Sequence, residues 1–245
     1  MKKLKVLLYS LIFVGVTTSF AADCEESNCA NFRIGVGGAY HNLDAKGANI
    51  SSTGGYLSLS ARGTLKQRLM SEISGKVGVG EAKASGGYFA NLDAKPLSVF
   101  AEASFKIGLN ISSKQFPLFV NAVYGWDNFS TNVKDKGIGL SRQLGGAELE
   151  GFLGNASKIE YLVGYYYFFT GDYLLQDDTK SKLEGTNYMI KASLGYVSHI
   201  TPNLGYYIKA IGKYEKMNDS KLTATNINYP ASSNIAGMVE LGLEF

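Results

Sequence analysis

The sequence predicts an all-β protein, an up-and-down antiparallel transmembrane β-barrel of about ten strands with short periplasmic turns and long outer loops. Three observations predict it. Apolar and polar residues alternate with a period of two through nearly all of the chain beyond Asn31. The connections between alternating segments are short and long by turns, which gathers the long ones at one end of a meander. On the apolar face of several segments, aromatic residues recur at two fixed heights.

The first segment is an address. Lys2, Lys3 and Lys5 precede an apolar run from Val6 to Val16, and Ser19-Phe20-Ala21 carries small residues where a cleavage site needs them. Residues 1–21 are therefore expected to be a signal peptide, 22–31 a periplasmic segment, and 32–245 the barrel. No later run is long and apolar enough for a helical span, so an exported chain that enters a membrane does so as a barrel.

The composition excludes several classes. Of 245 residues, 45% are hydrophobic and 18% charged, which is not a disordered chain. A net charge of +3 is too weak to argue for nucleic acid. Two His and two Cys leave too few ligands for a metal centre built on those residues, and no cofactor is expected. Cys24 and Cys29, close together in an oxidising compartment, are expected to form a small disulfide. Gly35, Gly37 and Gly38 are not a phosphate loop, because no helix pattern follows them. They read as wall glycines that permit curvature or close packing.

The alternating segments are 32–40, 56–65, 71–80, 97–107, 116–125, 145–153, 158–170, 186–197, 204–214 and 235–245. Eight or twelve strands stay open, because the pattern is irregular between 126 and 153. The long connections fall at 41–55, 81–96, 126–144, 171–185 and 215–234. An even strand number puts both termini at the periplasmic end.

Alternation alone also fits a soluble sandwich, and the aromatics discriminate. Phe32 and Tyr40, Phe116 and Tyr124, Tyr161 and Phe169, Tyr188 and Tyr196, and Tyr206 and Tyr214 are each eight residues apart. That spacing rises about 26 Å along a strand, or about 20 Å along the axis of a tilted barrel. The distance approaches the apolar band between the two aromatic girdles of a membrane barrel. The other face holds the charges: Arg33, Arg62, Lys76, Lys106, Lys191, Lys209 and Lys213 against Glu72, Glu102, Glu148, Glu150, Glu160, Glu240 and Glu244. Buried charges must be paired, so this face is the lumen and the apolar face meets lipid. Strand order sets Lys76 beside the strand of Glu102 and Lys209 beside that of Glu240, and closure brings Arg33 to that of Glu244. Tyr166, Phe168, Phe119 and Tyr207 point inward and narrow the lumen.

With these features the chain resembles the small Gram-negative outer-membrane β-barrel proteins, over its whole mature length. Leu241, Leu243 and Phe245 resemble the C-terminal signal read by the barrel-assembly machinery, although Leu243 is aliphatic where many members carry an aromatic. Lys over Arg, with many Asn and Tyr, fits a Helicobacter- or Campylobacter-type outer-membrane protein. The resemblance implies outer-membrane lipid and the assembly machinery as partners, and outer loops available to an extracellular ligand.

The resemblance also raises enzymatic alternatives. Asp177-Asp178 with His41 and Asp44 make a crude analogue of the omptin protease site, but long strand extensions and a His-x-Asp motif are not apparent. His41 at the outer rim could serve a lipid A-modifying enzyme, which needs a base beside a nucleophile. His199 falls in a periplasmic turn. Trp126 reads as an outer-girdle residue, and Gly86-Gly87-Tyr88-Phe89 as a loop that could touch a partner. No catalytic residue is assigned. The expected function is a non-catalytic, surface-exposed structural or adhesion protein with a largely occluded, charged lumen. The alternatives are a small porin or an outer-membrane enzyme.

Overall fold

The computed structural model describes residues 28–45, 48–86, 96–133, 136–154, 157–175, 179–221, 228–229 and 231–245. Among the described residues thirteen strands form: β1 (Asn28–Ala45), β2 (Ala48–Leu65), β3 (Leu69–Ser85), β4 (Leu97–Asn110), β5 (Leu118–Val133), β6 (Lys136–Leu153), β7 (Ser157–Leu175), β8 (Thr179–Lys182), β9 (Tyr188–Thr201), β10 (Leu204–Met217), β11 (Ser220–Lys221), β12 (Asn228–Tyr229) and β13 (Ser232–Glu244). Ten of them form the wall, each paired antiparallel to its neighbour in chain order. The sheet closes where β13 pairs with β1, from Arg33↔Glu244 to Ala45↔Ser232. β8 folds back on the end of β7, with Asp172 opposite Lys182, and β11 pairs only with β12. The region 126–153 holds one hairpin, β5 and β6, so the wall has neither eight strands nor twelve. The signal peptide, most of the periplasmic segment, the Cys24–Cys29 disulfide, Asp177-Asp178 and Gly87-Tyr88-Phe89 lie outside the described residues.

The wall is taller than the sequence suggests. β1, β2 and β6 each have 18 residues and β7 has 19. Only residues 46–47 separate β1 from β2, and only 134–135 separate β5 from β6. Two of the five long outer loops are therefore hairpins whose length lies in the wall, and the strand extensions judged absent are present. An 18-residue strand spans about 60 Å, or about 45 Å along the axis at a 40° tilt, against an apolar band about 25 Å tall. The excess stands above the outer girdle. There the outward face turns polar: Asn42, Asp44, Ser51, Thr53, Lys83, Ser130, Gln143 and Lys216 point to water. The inward face turns apolar, with Leu43, Ile50, Ala82, Phe129, Leu140 and Met217 buried. The period of two continues, but its sense reverses where lipid gives way to water. A reading keyed to apolar-out therefore stops at the girdle.

At the periplasmic end, Asn110 ties two connections together. Its backbone N–H donates to Arg68 O at 2.8 Å, and its side-chain amide donates to Gln67 O at 3.0 Å and Ser113 O at 3.2 Å. Its Oδ1 accepts from the N–H groups of Ser112 and Leu118. The β2–β3 turn is closed by Arg68 N–H donating to Leu65 O at 2.9 Å. Its central residues Lys66 and Gln67 have φ of 51° and 53°. Both are left-handed, as in the mirror-image turns that favour Asn-Gly, and neither residue type suits that conformation. The double substitution Lys66→Asn/Gln67→Gly is expected to raise stability by about 0.5–1 kcal/mol. Denaturant unfolding of refolded protein, followed by Trp126 fluorescence, measures it; an unchanged or lower midpoint contradicts it.

Candidate functional site: the lumen and the outer end

The outer surface carries a belt and two aromatic rings. Ile34, Val36, Leu57, Leu59, Val77 and Leu241 are all exposed in the belt. A soluble protein rarely leaves so many large apolar side chains in contact with water. Phe32, Phe116, Tyr161, Tyr196 and Tyr206 point outward at the periplasmic edge of the belt, with Tyr196 and Tyr206 ring centroids 6.4 Å apart. Phe116 lies in the β4–β5 connection, not in a strand. Tyr40, Tyr124, Phe169, Tyr188 and Tyr214 mark the outer edge. Tyr124 lies 6.0 Å from Phe169, and Tyr188 lies 6.4 Å from Tyr214. Trp126 joins the outer ring and donates from Nε1 to Ser141 Oγ at 3.1 Å. Leu241 and Leu243 face outward on β13. Phe245 exchanges both backbone hydrogen bonds with Phe32 and sets its ring 6.5 Å from that of Phe32, so the last residue completes the seam.

Inside, the charges are arranged in tiers. In the periplasmic tier, Arg33 donates to Glu160 at 2.5 and 2.9 Å and to Glu244 at 2.5 Å, and Lys209 lies 3.7 Å from Glu160. The Arg33 guanidinium also stacks over Tyr207. Next come Arg62 with Glu72 at 2.6 Å and Glu150 at 2.5 Å, and Lys106 with Glu150 at 2.6 Å and Glu72 at 3.4 Å. Glu148 accepts from Tyr166 and pairs with Lys191 at 3.4 Å. Lys76 pairs with Glu240 at 3.2 Å, and Tyr207 donates to Glu240 at 2.9 Å. Lys213 of β10 reaches Glu102 of β4, directly across the barrel, at 2.5 Å. The register does set Lys76 opposite Glu102, Lys209 opposite Glu240 and Arg33 opposite Glu244. Several ion pairs nevertheless cross the lumen to non-neighbouring strands, because long inward side chains on a narrow barrel meet near its axis. A cavity of about 60 Å³ between Lys76, Glu102, Glu148, Lys191 and Lys213 has room for only a few waters.

A third, outermost tier is absent from the sequence reading. Arg142 donates to Asp127 at 2.7 and 2.8 Å and to Glu215 at 2.7 Å, with its guanidinium 4.3 Å from the Phe168 centroid. Asp127, Arg142 and Glu215 fall in segments that read as loops. The continued alternation Val123, Gly125, Asp127, Phe129 and Thr131, all buried, was the available clue. Around this tier lie two apolar clusters. One contains Leu43, Ile50, Leu140, Leu144, Phe168, Met189 and Met217, and the other Tyr56, Phe100, Phe129, Ile211 and Met238. Inward glycines make room for them: a Cβ at Gly78 would collide with the Phe100 ring, and one at Gly37 with Tyr56. Small and large residues thus alternate across the interior to fill it.

His41 belongs to this plug rather than to the rim. It is 7% exposed, with ring centroids 5.0 Å from Phe100 and 5.5 Å from Phe129, and among the described residues neither ring nitrogen has a hydrogen-bond partner. Asp44, three residues further along β1, points out of the opposite face of the wall and is exposed. His199 lies in β9 at the periplasmic end, 3.7 Å from Glu244. Among the described residues no group of His, Cys, Asp and Glu is arranged to hold a metal ion.

No protein-family model and no curated protein sequence matches the chain. Among solved structures, the outer-membrane protease OmpT of Escherichia coli aligns over 94% of this chain and 99% of its own, with a TM-score of 0.60 at 11% identity. The fold is that of a bacterial outer-membrane β-barrel. The translocator domain of the autotransporter NalP from Neisseria meningitidis aligns at TM-score 0.46 and 8% identity, over 100% of this chain and 95% of its own. The transport unit of the autotransporter AIDA-I from Escherichia coli aligns at 0.40 and 12%, over 95% and 96%. At these identities the likeness to OmpT is one of fold alone. Fold and apolar belt together seat the barrel in the outer membrane.

The Lys213–Glu102 pair offers a direct test of the lumen's electrostatics. Lys213→Met alone is expected to lose about 3–5 kcal/mol, because it strands Glu102. Lys213→Met/Glu102→Leu should recover most of that loss. Equal losses in the single and double variants, in urea unfolding from lipid vesicles, would show that the two charges are not coupled.

Proposed function

We propose that the barrel is a non-catalytic outer-membrane scaffold, occluded along its axis, which acts as a structural or adhesion protein through the wall and connections that stand outside the membrane. One observation carries this reading: the lumen is closed twice, by ion pairs that cross it and by an apolar plug above them. The ion pairs use up the charges that would otherwise line a path, and at the outer end the apolar clusters close around Arg142, whose charge is taken up by Asp127 and Glu215. The environment of His41 supports the same reading. A base needs a nucleophile within hydrogen-bond reach, and this imidazole is wedged between phenyl rings. The exterior above the girdle is polar and mixed in charge, as a surface for contact with water, neighbouring molecules or a ligand would be. Biogenesis through the barrel-assembly machinery fits the C-terminal strand, whose last residues form the seam.

The test is conductance in a planar bilayer, with heat-modifiable gel migration to establish folding. Folded wild-type protein is expected to be silent. Phe100→Ala/Phe129→Ala/Phe168→Ala, which empties the plug, is expected to flicker or conduct. Discrete steps from the wild type would replace this reading with that of a small porin whose lumenal Lys and Glu residues set selectivity.

A further inference from the structure

The exposed charges on the outside of the barrel are sorted by end. At the periplasmic end, Lys66 and Arg68 flank the tip of the β2–β3 turn and Lys114 lies in the β4–β5 connection. All three are exposed; Lys158, near the start of β7, shares the lumenal face with Glu160 and is not one of them. Among the described residues no exposed Asp or Glu accompanies them. The acids of that end, Glu72, Glu160 and Glu244, point into the lumen and are held there by Arg62 and Arg33. At the outer end the signs mix, with Lys83, Lys182 and Lys216 beside Asp44, Asp172, Glu184 and Asp219. Among the described residues, a set of exposed bases without exposed acids on one rim is a local field that the net charge of +3 hides.

Height is the second argument. The bases lie just beyond Phe32, Phe116, Tyr161, Tyr196 and Tyr206, and aromatic rings of this kind sit at the level of the lipid head groups. The collar is thus level with the phosphates of the leaflet facing the periplasm. It covers the sector from β2 to β5, where Asn110 ties the two connections together. The β9–β10 connection beyond it carries only Pro202 and Asn203. Backbone conformation is the third. The β2–β3 turn keeps Lys66 and Gln67 left-handed, where Asn-Gly would be at ease. A strained turn that displays two cations is a feature to be explained by function rather than by stability.

We propose that this periplasmic collar binds the head groups of anionic phospholipid. Lys66, Arg68 and Lys114 supply the positive charge, and the neighbouring aromatic ring holds the acyl chains alongside. Phosphatidylethanolamine carries its own ammonium and is the poorer ligand. The acidic run Asp23, Glu25 and Glu26 precedes β1 in the sequence and is a competitor for these bases that the experiment must separate.

The experiment is native mass spectrometry of the refolded mature chain in mixed micelles holding equal amounts of phosphatidylglycerol and phosphatidylethanolamine with the same acyl chains. The wild type is expected to retain phosphatidylglycerol preferentially. Lys66→Gln/Arg68→Gln/Lys114→Gln, folded by gel migration, should lower that preference about tenfold. Lys83→Gln/Lys216→Gln at the outer end should leave it intact. If the triple variant does not fold, Arg68→Gln and Lys114→Gln are read singly, each with a partial loss expected. An unchanged preference in the collar variants overturns the proposal, as does an equal loss in the outer-end variant, which would reflect net charge alone. A preference that appears only after Asp23, Glu25 and Glu26 are neutralised also overturns it, because the chain's own acidic segment would then occupy the collar.

Discussion

A backbone surrounded by hydrocarbon has no water to satisfy its N–H and C=O groups, and that constraint organises this molecule. It forbids a free sheet edge, so β13 must meet β1, and their pairing from Arg33↔Glu244 to Ala45↔Ser232 is the condition on which everything else rests. Closure fixes a narrow interior, and a narrow interior brings inward side chains from non-neighbouring strands together. That is why Lys213 meets Glu102 and Arg33 meets Glu160. The same closure leaves the outward side chains of each strand to whatever solvent surrounds the wall. The aromatic rings then mark where that solvent changes.

The barrel is two proteins stacked on one set of strands. Its lower part is an inside-out solution, with apolar residues against lipid and charges within. Its upper part follows the rule of soluble proteins, with Leu43, Ile50, Leu140 and Met217 buried and Asp44, Thr53 and Lys216 outside. Arg142 sits at the junction, bonded to Asp127 and Glu215 while packed against Phe168, so one residue belongs to both regimes.

The fold was legible because its two periodicities, the alternation along each strand and the eight-residue aromatic spacing, are local and repeat many times. Facing was equally legible below the outer ring, where apolar means lipid. Above it the same alternation carries the opposite meaning, and nothing in a single strand announces the change. Hence Asp127, Arg142 and Glu215 went unread, and His41 was expected at an open rim when it lies among aromatic rings. Adjacent strands could be paired from chain order alone. Contacts across the lumen, such as Lys76 with Glu240, depend on barrel diameter and stagger, which no local pattern encodes.

Arg33 lies on the first strand, yet its carboxylate partners sit 127 and 211 residues further along. During synthesis and export it is among the first lumenal charges to exist and among the last to be satisfied. Until β7 and β13 arrive it must stay hydrated, and a wall segment that needs water cannot be left alone in hydrocarbon. The ion pairs thus serve as a latch on the order of events. They favour insertion of the strands as one assembled unit over strand-by-strand entry, and they withhold the full stability of the barrel until β13 is in place.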